Sequence, residues 1–391
     1  MVHLVLLLIE MEPLVFASFF PTGLTRLMSN PLCSQLGSVT VPFQGTKERG
    51  MATLKKAHDE LFRRSPDESF SSMQDLHEHC RQQKEESTDA WQMPQTLNPK
   101  ADEHGVRLSI DGREEARLND WSFSQLCRLS GVNKDTLNRL SADTASQALL
   151  ETLPSARKPV QLLTRDKTVR SLHGLAYTRL WNADLLDVVQ EYATDFQPPQ
   201  NAANGGTGLY CGEQDMFSFL IDPTGWAEID GEAFAPGFFV WNSEVGRRSM
   251  GIQTFWFQSI CANHIVWDAV EVVEFTRKHT ANVKDGLNEI RSIIDRLATQ
   301  RNARRDGFVR VMREAATRSL GDTPDAVMKV LTGGKIPSRL AKDAVKIASQ
   351  QGAFTIYAVV DALTRLTQRT RYAGDRTEID SRIGALLKLA V

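Results

Sequence analysis

The chain has 391 residues, of which 41% are hydrophobic, and its formal net charge is −2 at pH 7. This length and apolar content are enough for a sizeable core spread over about two domains. The near-neutral charge excludes a general polyanion-binding protein, and five scattered cysteines without a CxxC pair exclude a disulfide scaffold or a zinc ribbon. The composition predicts a soluble globular protein of the reducing cytoplasm.

The N-terminal segment differs from the rest of the chain because it is apolar and nearly uncharged. No Lys or Arg precedes its apolar run, and Glu10, Glu12 and Pro13 interrupt it well short of the ~20 residues that a membrane span needs. We predict that residues 1–50 are an unstructured upstream extension, that Met51 is the natural start and that the protein has no membrane partner. A secretory signal is the alternative.

The next part of the chain has few apolar anchors. The run RQQKEESTDAWQMPQTLNPKADEH is typical of a linker, so residues 51–104 are predicted to be a mobile N-terminal tail. A single α+β domain is predicted over residues 105–391. Its expected parts are a β-hairpin with a helical hairpin over residues 105–155, a sheet core over residues 156–280 and a helical region over residues 281–391.

Apolar and polar residues alternate on both sides of an Asp-Gly pair, which predicts a β-hairpin over residues 106–118. The following segment, WSFSQLCRLSGVNKDTLNRLSADTASQALLETL, has helical spacing that stops at Gly131 and resumes after caps at Asn133 and Ser141. This spacing matches a helix-turn-helix that exposes Lys134 and Asn138, together with Arg139. Such helices serve either as a packing layer, which we favour, or as a reader of a DNA groove.

An antiparallel meander is predicted in the middle of the chain. VQLLTRDKTVRSLHG predicts two short strands, and NADLLDVVQEYATDF predicts a helix opened by Asn182 or Asp184. Further strands are expected over residues 216–221, 237–241 and 250–260, with a last one over residues 270–275. Aromatic residues fall on both faces of these strands, which indicates either that both faces are buried, the favoured interpretation, or that one face stacks on bases. They are Phe238, Trp241, Phe255, Trp256 and Phe257.

Charge is divided unevenly between the two halves of the chain. Residues 51–276 contain 21 basic and 33 acidic residues, whereas residues 277–391 contain 22 basic and 12 acidic residues. Guanidinium groups donate two hydrogen bonds at once to phosphate, so arginines of the helical half are candidates for DNA contacts. The alternatives are that these arginines lie on solvated helix faces or that they pair with the acidic half of the chain. The candidates are Arg301, Arg304, Arg305 and Arg310.

The stretch GFFVWNSEVGRRSMGIQTFWFQSICANH joins two strand patterns through a polar tip. A structural turn is the first interpretation of the tip, since Asn and Ser bond to neighbouring backbone and Gly246 tolerates positive φ. Glu244 beside Arg247 and Arg248 is the unusual part, because this set can either pair internally or hold a phosphate or metal. The candidate binding residues are Asp215, Asn242, Ser243, Glu244, Arg247 and Arg248.

Soft donor atoms also occur at the end of this stretch. Cys261, His264 and His279 are a weak candidate metal set, because C-x-x-H spacing suits zinc but a fourth ligand, Cys211 or Asp215, has to come near. The alternative is that Cys261 is a small buried residue and that His264 bonds backbone at a strand end. We predict no cofactor and assign no catalytic residue.

Several of these blocks resemble one known family. YCGEQDMFSFLIDP, GFFVWNSEVGRRSMGIQTFWFQSICANHIVW and RKHT are similar to the signature blocks of the phage/plasmid-like proteins called domain of unknown function 932 (DUF932), and the likeness extends more weakly from about residue 121 through the C-terminal helices. The resemblance implies a bacterial or viral protein of mobile elements, and the family implies no settled activity. The residues that carry it over are Asp215, Asn242, Ser243, Glu244, Gly246, Cys261, Asn263, His264 and His279.

Two classes of function therefore stand at this point, with a third behind them. The first is a non-enzymatic DNA-associated protein of mobile-element type that binds or anneals single strands. The second is a metal-dependent hydrolase or nucleotide-modifying enzyme that uses Asp215, Glu244 and His264, although the chain has no P-loop, GxGxxG, HExxH or GxSxG motif. The third is a structural protein or a homo-oligomer.

Overall fold

The computed structural model describes residues 61–112, 114–155, 158–199, 208–258, 263–265, 275–352, 354–368 and 370–391. All of them belong to one compact unit, His58–Val391, so the predicted extension over residues 1–50 lies outside the described residues. The fold is α+β with helices concentrated in the C-terminal region, as the sequence predicts. No helix of the described ranges is both long enough and apolar enough to span a membrane.

The strands form an eight-stranded and a six-stranded sheet, called sheet A and sheet B. Sheet A contains β1 (Glu68–Ser69), β8 (Leu209–Cys211), β9 (Met216–Ile221), β10 (Ala227–Ile229), β11 (Glu232–Asn242), β12 (Met250–Gln258), β13 (Asn263–Ile265) and β14 (Phe275–Arg277). Sheet B contains β2 (Thr88–Gln92), β3 (Leu97–Asp102), β4 (Gly105–Ile110), β5 (Glu114–Leu118), β6 (Val160–Arg165) and β7 (Thr168–His173).

Eleven α-helices are described. They are α1 (Met73–Glu85), α2 (Asp120–Ser130), α3 (Lys134–Leu137), α4 (Ala142–Thr152), α5 (Asn182–Tyr192), α6 (Asp285–Thr299), α7 (Arg301–Thr317), α8 (Pro324–Gly333), α9 (Ser338–Gln350), α10 (Ile356–Thr367) and α11 (Ala373–Gly384).

Sheet A has the strand order β1-β8-β9-β11-β12-β13, and its strands β9, β11 and β12 are the predicted antiparallel meander. The other two predicted strands of the sheet core over residues 156–280, β6 and β7, belong to sheet B. β10 forms a hairpin with the start of β11, and β14 pairs with the start of β12. The last predicted strand, over residues 270–275, lies outside the described residues except for Phe275, which begins β14.

The aromatic residues of sheet A are core residues, so the interpretation that both faces are buried is confirmed. On one face, Phe238 packs beneath α1, α5 and α6, and further along the sheet Trp256 stacks on Phe308 of α7 with ring centroids 3.9 Å apart. On the other face, Phe239 and Phe255 belong to a second aromatic cluster that includes Ala373 at the start of α11. Fully buried rings are not available to stack on bases.

Sheet B has the order β2-β6-β7-β5-β4-β3, and its neighbours are antiparallel except for the parallel pair β5 and β7. The predicted hairpin is β4 and β5, whose turn places Asp111 and Gly112 at φ 51° and 68°. Two consecutive positive φ angles match a two-residue hairpin turn with the twist of its strands. Helices α2 and α4 cover this sheet and bury Phe123, Leu126 and Leu149 against it.

The prediction of a mobile tail over residues 51–104 is corrected for the part that the structure describes. From residue 61 onwards this segment supplies β1, α1 and the two edge strands of sheet B, β2 and β3. Its few apolar residues are placed efficiently, since Leu76 and Cys80 lie one helical turn apart and are fully buried, as is Leu97 on β3. The segment has few apolar residues because each of its helices and strands buries only one narrow face, and this is why the sequence did not predict them.

The helix-turn-helix segment has the predicted caps but not an exposed recognition helix. Gly131 ends α2 at φ 69°, and Asn133 and Ser141 cap α3 and α4 through their side chains. However, α3 has only 4 residues, and the Asn138 amide is buried in two hydrogen bonds with the backbone of Phe62, at 2.8 and 3.1 Å. The segment is therefore a packing layer on sheet B.

Candidate functional site

The polar turn of the stretch GFFVWNSEVGRRSMGIQTFWFQSICANH connects β11 to β12. We call residues 242–248 the tip. Within the tip, the Gly246 amide donates a hydrogen bond to the Ser243 carbonyl at 2.9 Å. The tip packs against the end of β7 and the loop that follows it. Gly246 has φ 69°, and a Cβ atom there would come within 2.6 Å of His173 Cε1 and 2.7 Å of Tyr177 Cε2. Both the backbone angle and the close ring contact therefore require glycine.

Glu244 is buried and serves the fold. Its Oε2 accepts a hydrogen bond from Arg170 Nη1 at 3.1 Å, and its Oε1 accepts one from the backbone N–H of Asn182 at 2.9 Å. Asn182 is the first residue of α5, whose N-cap residue makes no side-chain cap bond. The carboxylate thus satisfies a helix N-terminus from a distant part of the chain, where a negative charge is stabilising.

The backbone of the tip is anchored to sheet B and its helices. The carbonyl of Glu244 accepts from the Tyr177 hydroxyl at 2.5 Å and from Arg179. The next carbonyl, that of Val245, accepts from Trp121 Nε1 at 2.7 Å and from a His173 ring nitrogen at 2.8 Å. The tip therefore joins the two sheets.

Asn242 and Ser243 are also fully buried and bonded to backbone. The Asn242 amide donates to the Leu180 carbonyl at 2.9 Å, and the Ser243 hydroxyl donates to the Gln214 carbonyl at 2.5 Å. The same hydroxyl accepts from the Arg247 backbone N–H at 2.8 Å. These side chains hold the turn closed, in agreement with the structural interpretation of the tip.

Asp215 and Arg248 belong to a chain of ion pairs. The Asp215 carboxylate accepts from Arg64 at 2.9 Å and from Arg248 at 2.8 Å, and Arg248 continues to Glu378 on α11 at 2.6 Å. Arg64 also pairs with Asp67, whose other oxygen accepts the first backbone N–H of α11 at 3.0 Å. Arg248 is therefore committed to the fold.

Arg247 is the exposed cation of the tip. Its guanidinium lies 5.6 Å from the Trp121 ring centroid, and the guanidinium of Arg128, which is exposed on α2, lies 6.0 Å from the same ring. The Trp121 ring is itself held by its bond to Val245. Two cations and an indole thus meet at the protein surface in a cation–π arrangement.

A groove runs past this cluster, and we call it the tip groove. It consists of two cavities of about 310 and 650 Å³ that share Leu129, Val160 and Gly174 in their walls. Exposed Lys158 and Leu175 lie along the larger cavity, and the described residues that line the two cavities include no Asp or Glu. The groove is apolar and aromatic with basic edges.

Three rings lie stacked beside the tip groove. The centroids of His173 and Tyr177 are 3.6 Å apart with planes at 9°, and His279 follows Tyr177 at 5.5 Å. Burial lowers the pKa of His173 to about 3 and that of His279 to about 4, with the Arg179 charge contributing to both. Both imidazoles are therefore neutral at pH 7.

The helical arginines do not continue the surface of the tip. Helix α7 packs over the Phe234 end of sheet A, whereas the tip follows Asn242, so a β11 segment of roughly 25 Å separates the two regions. Burial lowers the pKa of Arg304 to about 10, and Arg305 pairs with its neighbour Asp306 at 3.2 Å. Arg310 is exposed, and the side chain of Arg301 is outside the described residues.

The weak metal set remains a prediction. Cys261 lies outside the described residues, and of His264 the structure gives only the backbone position on β13, paired with Phe257. Neither suggested fourth ligand lies free beside His279, since Asp215 is ion-paired with two arginines and Cys211 is buried in a cluster with Cys80. Within the described ranges, no three His, Cys, Asp or Glu residues are arranged to hold a metal.

Sequence reasoning missed the residues that face the tip. Arg170 and His173 lie on a strand whose apolar neighbours marked it only as core, and Trp121 and Arg128 were assigned to the helical layer. One signal was present, because a basic residue inside the short strand TVRSLH has to find a buried partner. No family model, curated protein or solved structure gave a match to this chain.

Proposed function

We propose that this chain is a non-enzymatic DNA-associated protein that binds a single strand in the tip groove. The observation that carries the proposal is the lining of the groove, which combines aromatic and apolar walls with basic edges and no acidic residue. Proteins that bind single strands without sequence preference combine these two elements, because cations follow the phosphates while rings or guanidinium planes stack on bases.

The charge of the groove is local. Arg128, Lys158 and Arg247 are exposed, and among the described residues none of them has a carboxylate partner within ion-pair distance. The surrounding residues 51–276 carry 33 acidic and 21 basic residues, so a positive groove stands out against a negative background. Such a field directs a polyanion to one place on the surface.

Shape favours a single strand over a duplex. The described part of the chain presents no exposed recognition helix, since α3 has 4 residues and is held to Phe62 through Asn138. By contrast, the smaller cavity of about 310 Å³ is at the lower end of ligand-pocket volumes and opens beside the half-buried Trp121 indole. The resemblance to phage/plasmid-like proteins, which stays a prediction, agrees with a DNA partner.

The hydrolase alternative receives less support from the geometry. It requires Asp215 and Glu244 to be available to a metal or a substrate. Asp215 accepts from two arginines, and Glu244 accepts from Arg170 and from the N-terminus of α5. A carboxylate whose oxygens are already paired with cations and N–H groups is a weak general base.

The test is fluorescence anisotropy with a labelled oligo-dT of about 20 nucleotides, at several salt concentrations. Arg128→Gln combined with Arg247→Gln should weaken binding at least tenfold and reduce the slope of log K against log salt by about 1.4, because each phosphate contact on a single strand contributes about 0.7. The matched control is Arg310→Gln combined with Arg313→Gln, two exposed arginines of α7.

The control pair should change the affinity less than twofold. Wild-type protein that shows no binding at low salt, or binding without a salt slope, would overturn the proposal. Equal losses from the two double variants would place the DNA elsewhere than in the tip groove.

A further inference from the structure

A separate polar cavity of about 260 Å³ lies between residues 65–83, the hairpin of β6 and β7, and the end of β8. Cys211 and His79 line it together with Arg165, Arg170 and Glu213. The proposed DNA-binding role does not use this cavity, although Cys211 and Glu213 belong to the block YCGEQDMFSFLIDP. It combines a thiol, an imidazole, two guanidinium groups and three carboxyl groups, those of Glu68, Asp166 and Glu213, in a small space, so its chemistry needs a separate explanation.

A second thiol belongs to the same buried cluster. Cys80 on α1 and Cys211 on β8 are both fully buried in it, and each thiol shifts the pKa of the other. His79, the residue before Cys80, lines the cavity together with Cys211, which raises the pKa of the imidazole. Helix α1 and strand β8 thus bring two cysteines, 131 positions apart in the sequence, to one point with an imidazole beside them.

The surroundings make the two thiols unequal. Cys80 and then His79 lower the pKa of Cys211 against the effect of burial, whereas Cys211 and burial raise the pKa of Cys80. Burial and the nearby Asp120 raise the pKa of Glu213 to about 7. Cys211 is therefore the more nucleophilic of the two thiols, and Glu213 is a carboxyl group that can supply a proton beside it.

We propose that Cys80 and Cys211 are a hydroperoxide-reactive thiol pair, with Cys211 as the residue that is oxidised first and Cys80 as the resolving residue. The Cys211 thiolate attacks one peroxide oxygen, so an S–O bond forms, the O–O bond breaks, and the departing hydroxide takes a proton from Glu213 or His79. The sulfur is oxidised to sulfenic acid and the peroxide is reduced to water.

The second step closes the pair. The Cys80 sulfur attacks the sulfenic sulfur of Cys211, an S–S bond forms, the S–O bond breaks, and the hydroxide leaves as water with the proton of Cys80. A thiol reductant returns both residues to the starting state. Because Cys211 is only 1% exposed and is reached through the cavity, the pair selects small oxidants over bulky ones.

The experiment treats the reduced full-length chain with a stoichiometric amount of hydrogen peroxide, alkylates remaining thiols after denaturation and maps peptides without reductant. A peptide linked through Cys80 and Cys211 should appear and should disappear on addition of dithiothreitol. Cys127 is the internal control, because burial raises its pKa to about 11. It should stay alkylated under conditions that oxidise at least ten times more Cys211.

The order of the steps is tested with single variants and a sulfenic-acid probe such as dimedone. Cys80→Ser should accumulate label on Cys211, whereas Cys211→Ser should leave Cys80 unlabelled. Equal oxidation of Cys127 and Cys211, or no linked peptide in the wild-type chain at tenfold excess peroxide, would overturn the proposal. The wild-type map requires no variant and is independent of DNA binding, so its outcome does not depend on the tip groove.

Discussion

Replacing Glu244 by Gln tests the conclusion that the tip is a structural joint and not a ligand site. The side chain is 1% exposed, and its two oxygens accept from Arg170 and from the N-terminus of α5. Gln keeps the size of the side chain and one acceptor oxygen for the backbone N–H of Asn182. It removes the negative charge and leaves the Arg170 guanidinium, which is 8% exposed, without a buried counter-charge.

The magnitude follows from the burial of the pair. Removing one partner of a buried ion pair costs about 3–5 kcal/mol, and the retained acceptor places this substitution near the lower end, at about 3 kcal/mol. Unfolding in urea, followed by tryptophan fluorescence, should therefore show a midpoint lowered by about 1 M. Arg170→Met combined with Glu244→Gln should cost less than the sum of the two single changes, because the orphaned charge is then gone.

The matched control is Glu378→Gln, the same substitution at a carboxylate that pairs with Arg248 but is 53% exposed. A pair with an exposed carboxylate contributes 0 to about 1 kcal/mol, so the free energy of unfolding of this variant should lie within about 1 kcal/mol of wild type. A loss below about 1 kcal/mol for Glu244→Gln, or a loss equal to that of the control, would refute the structural role of the tip carboxylate.

Two further predictions concern the same region. Gly246→Ala should lower the free energy of unfolding by about 2–4 kcal/mol, since the added Cβ clashes with two rings at a residue with positive φ. Gly112→Ala is the control and should lower it by only about 1 kcal/mol, because Gly112 has a similar φ and no atom within 4 Å of the added Cβ. Equal urea midpoints for the two variants would contradict this prediction. His279 has a folded pKa of about 4, below its unfolded value, so its contribution is complete above pH 6.5 and is lost as the pH falls. His279→Gln should therefore reduce the loss of unfolding free energy between pH 8 and pH 5 by about 2 kcal/mol, while the exposed His104→Gln should leave that loss unchanged.

The periodic elements could be predicted from the sequence because local signals determine them. The Asp111-Gly112 turn and the Gly131 cap lie where positive φ is needed. The meander was also predicted, with its aromatic residues in the core. In each case, the information lies within a few residues of the feature that it specifies.

The candidate site could not be predicted in the same way, because its contacts join distant residues. Glu244 was considered beside Arg247 and Arg248, its neighbours in sequence, but its partner is Arg170, 74 positions away. The N-terminus of α5 was expected to be capped by Asn182 or Asp184, yet the oxygen that satisfies its first N–H comes from the tip. Pairings of this kind depend on how sheets A and B approach each other, which no local pattern encodes.

The ion pairs around Asp215 have a consequence for the order in which the chain assembles. The Tyr372 hydroxyl donates to the Arg64 carbonyl at 3.0 Å across a separation of 308 residues, and Asp67 accepts the first N–H of α11 from almost as far. Because synthesis proceeds at roughly 5–20 residues per second, Arg64 and Asp67 are made tens of seconds before these partners. Until α11 emerges, Arg64 and Asp67 lack that closure, and the aromatic face of sheet A that α11 meets is exposed. Completion of this fold is therefore a late event, and chaperone protection is most valuable in the interval before it.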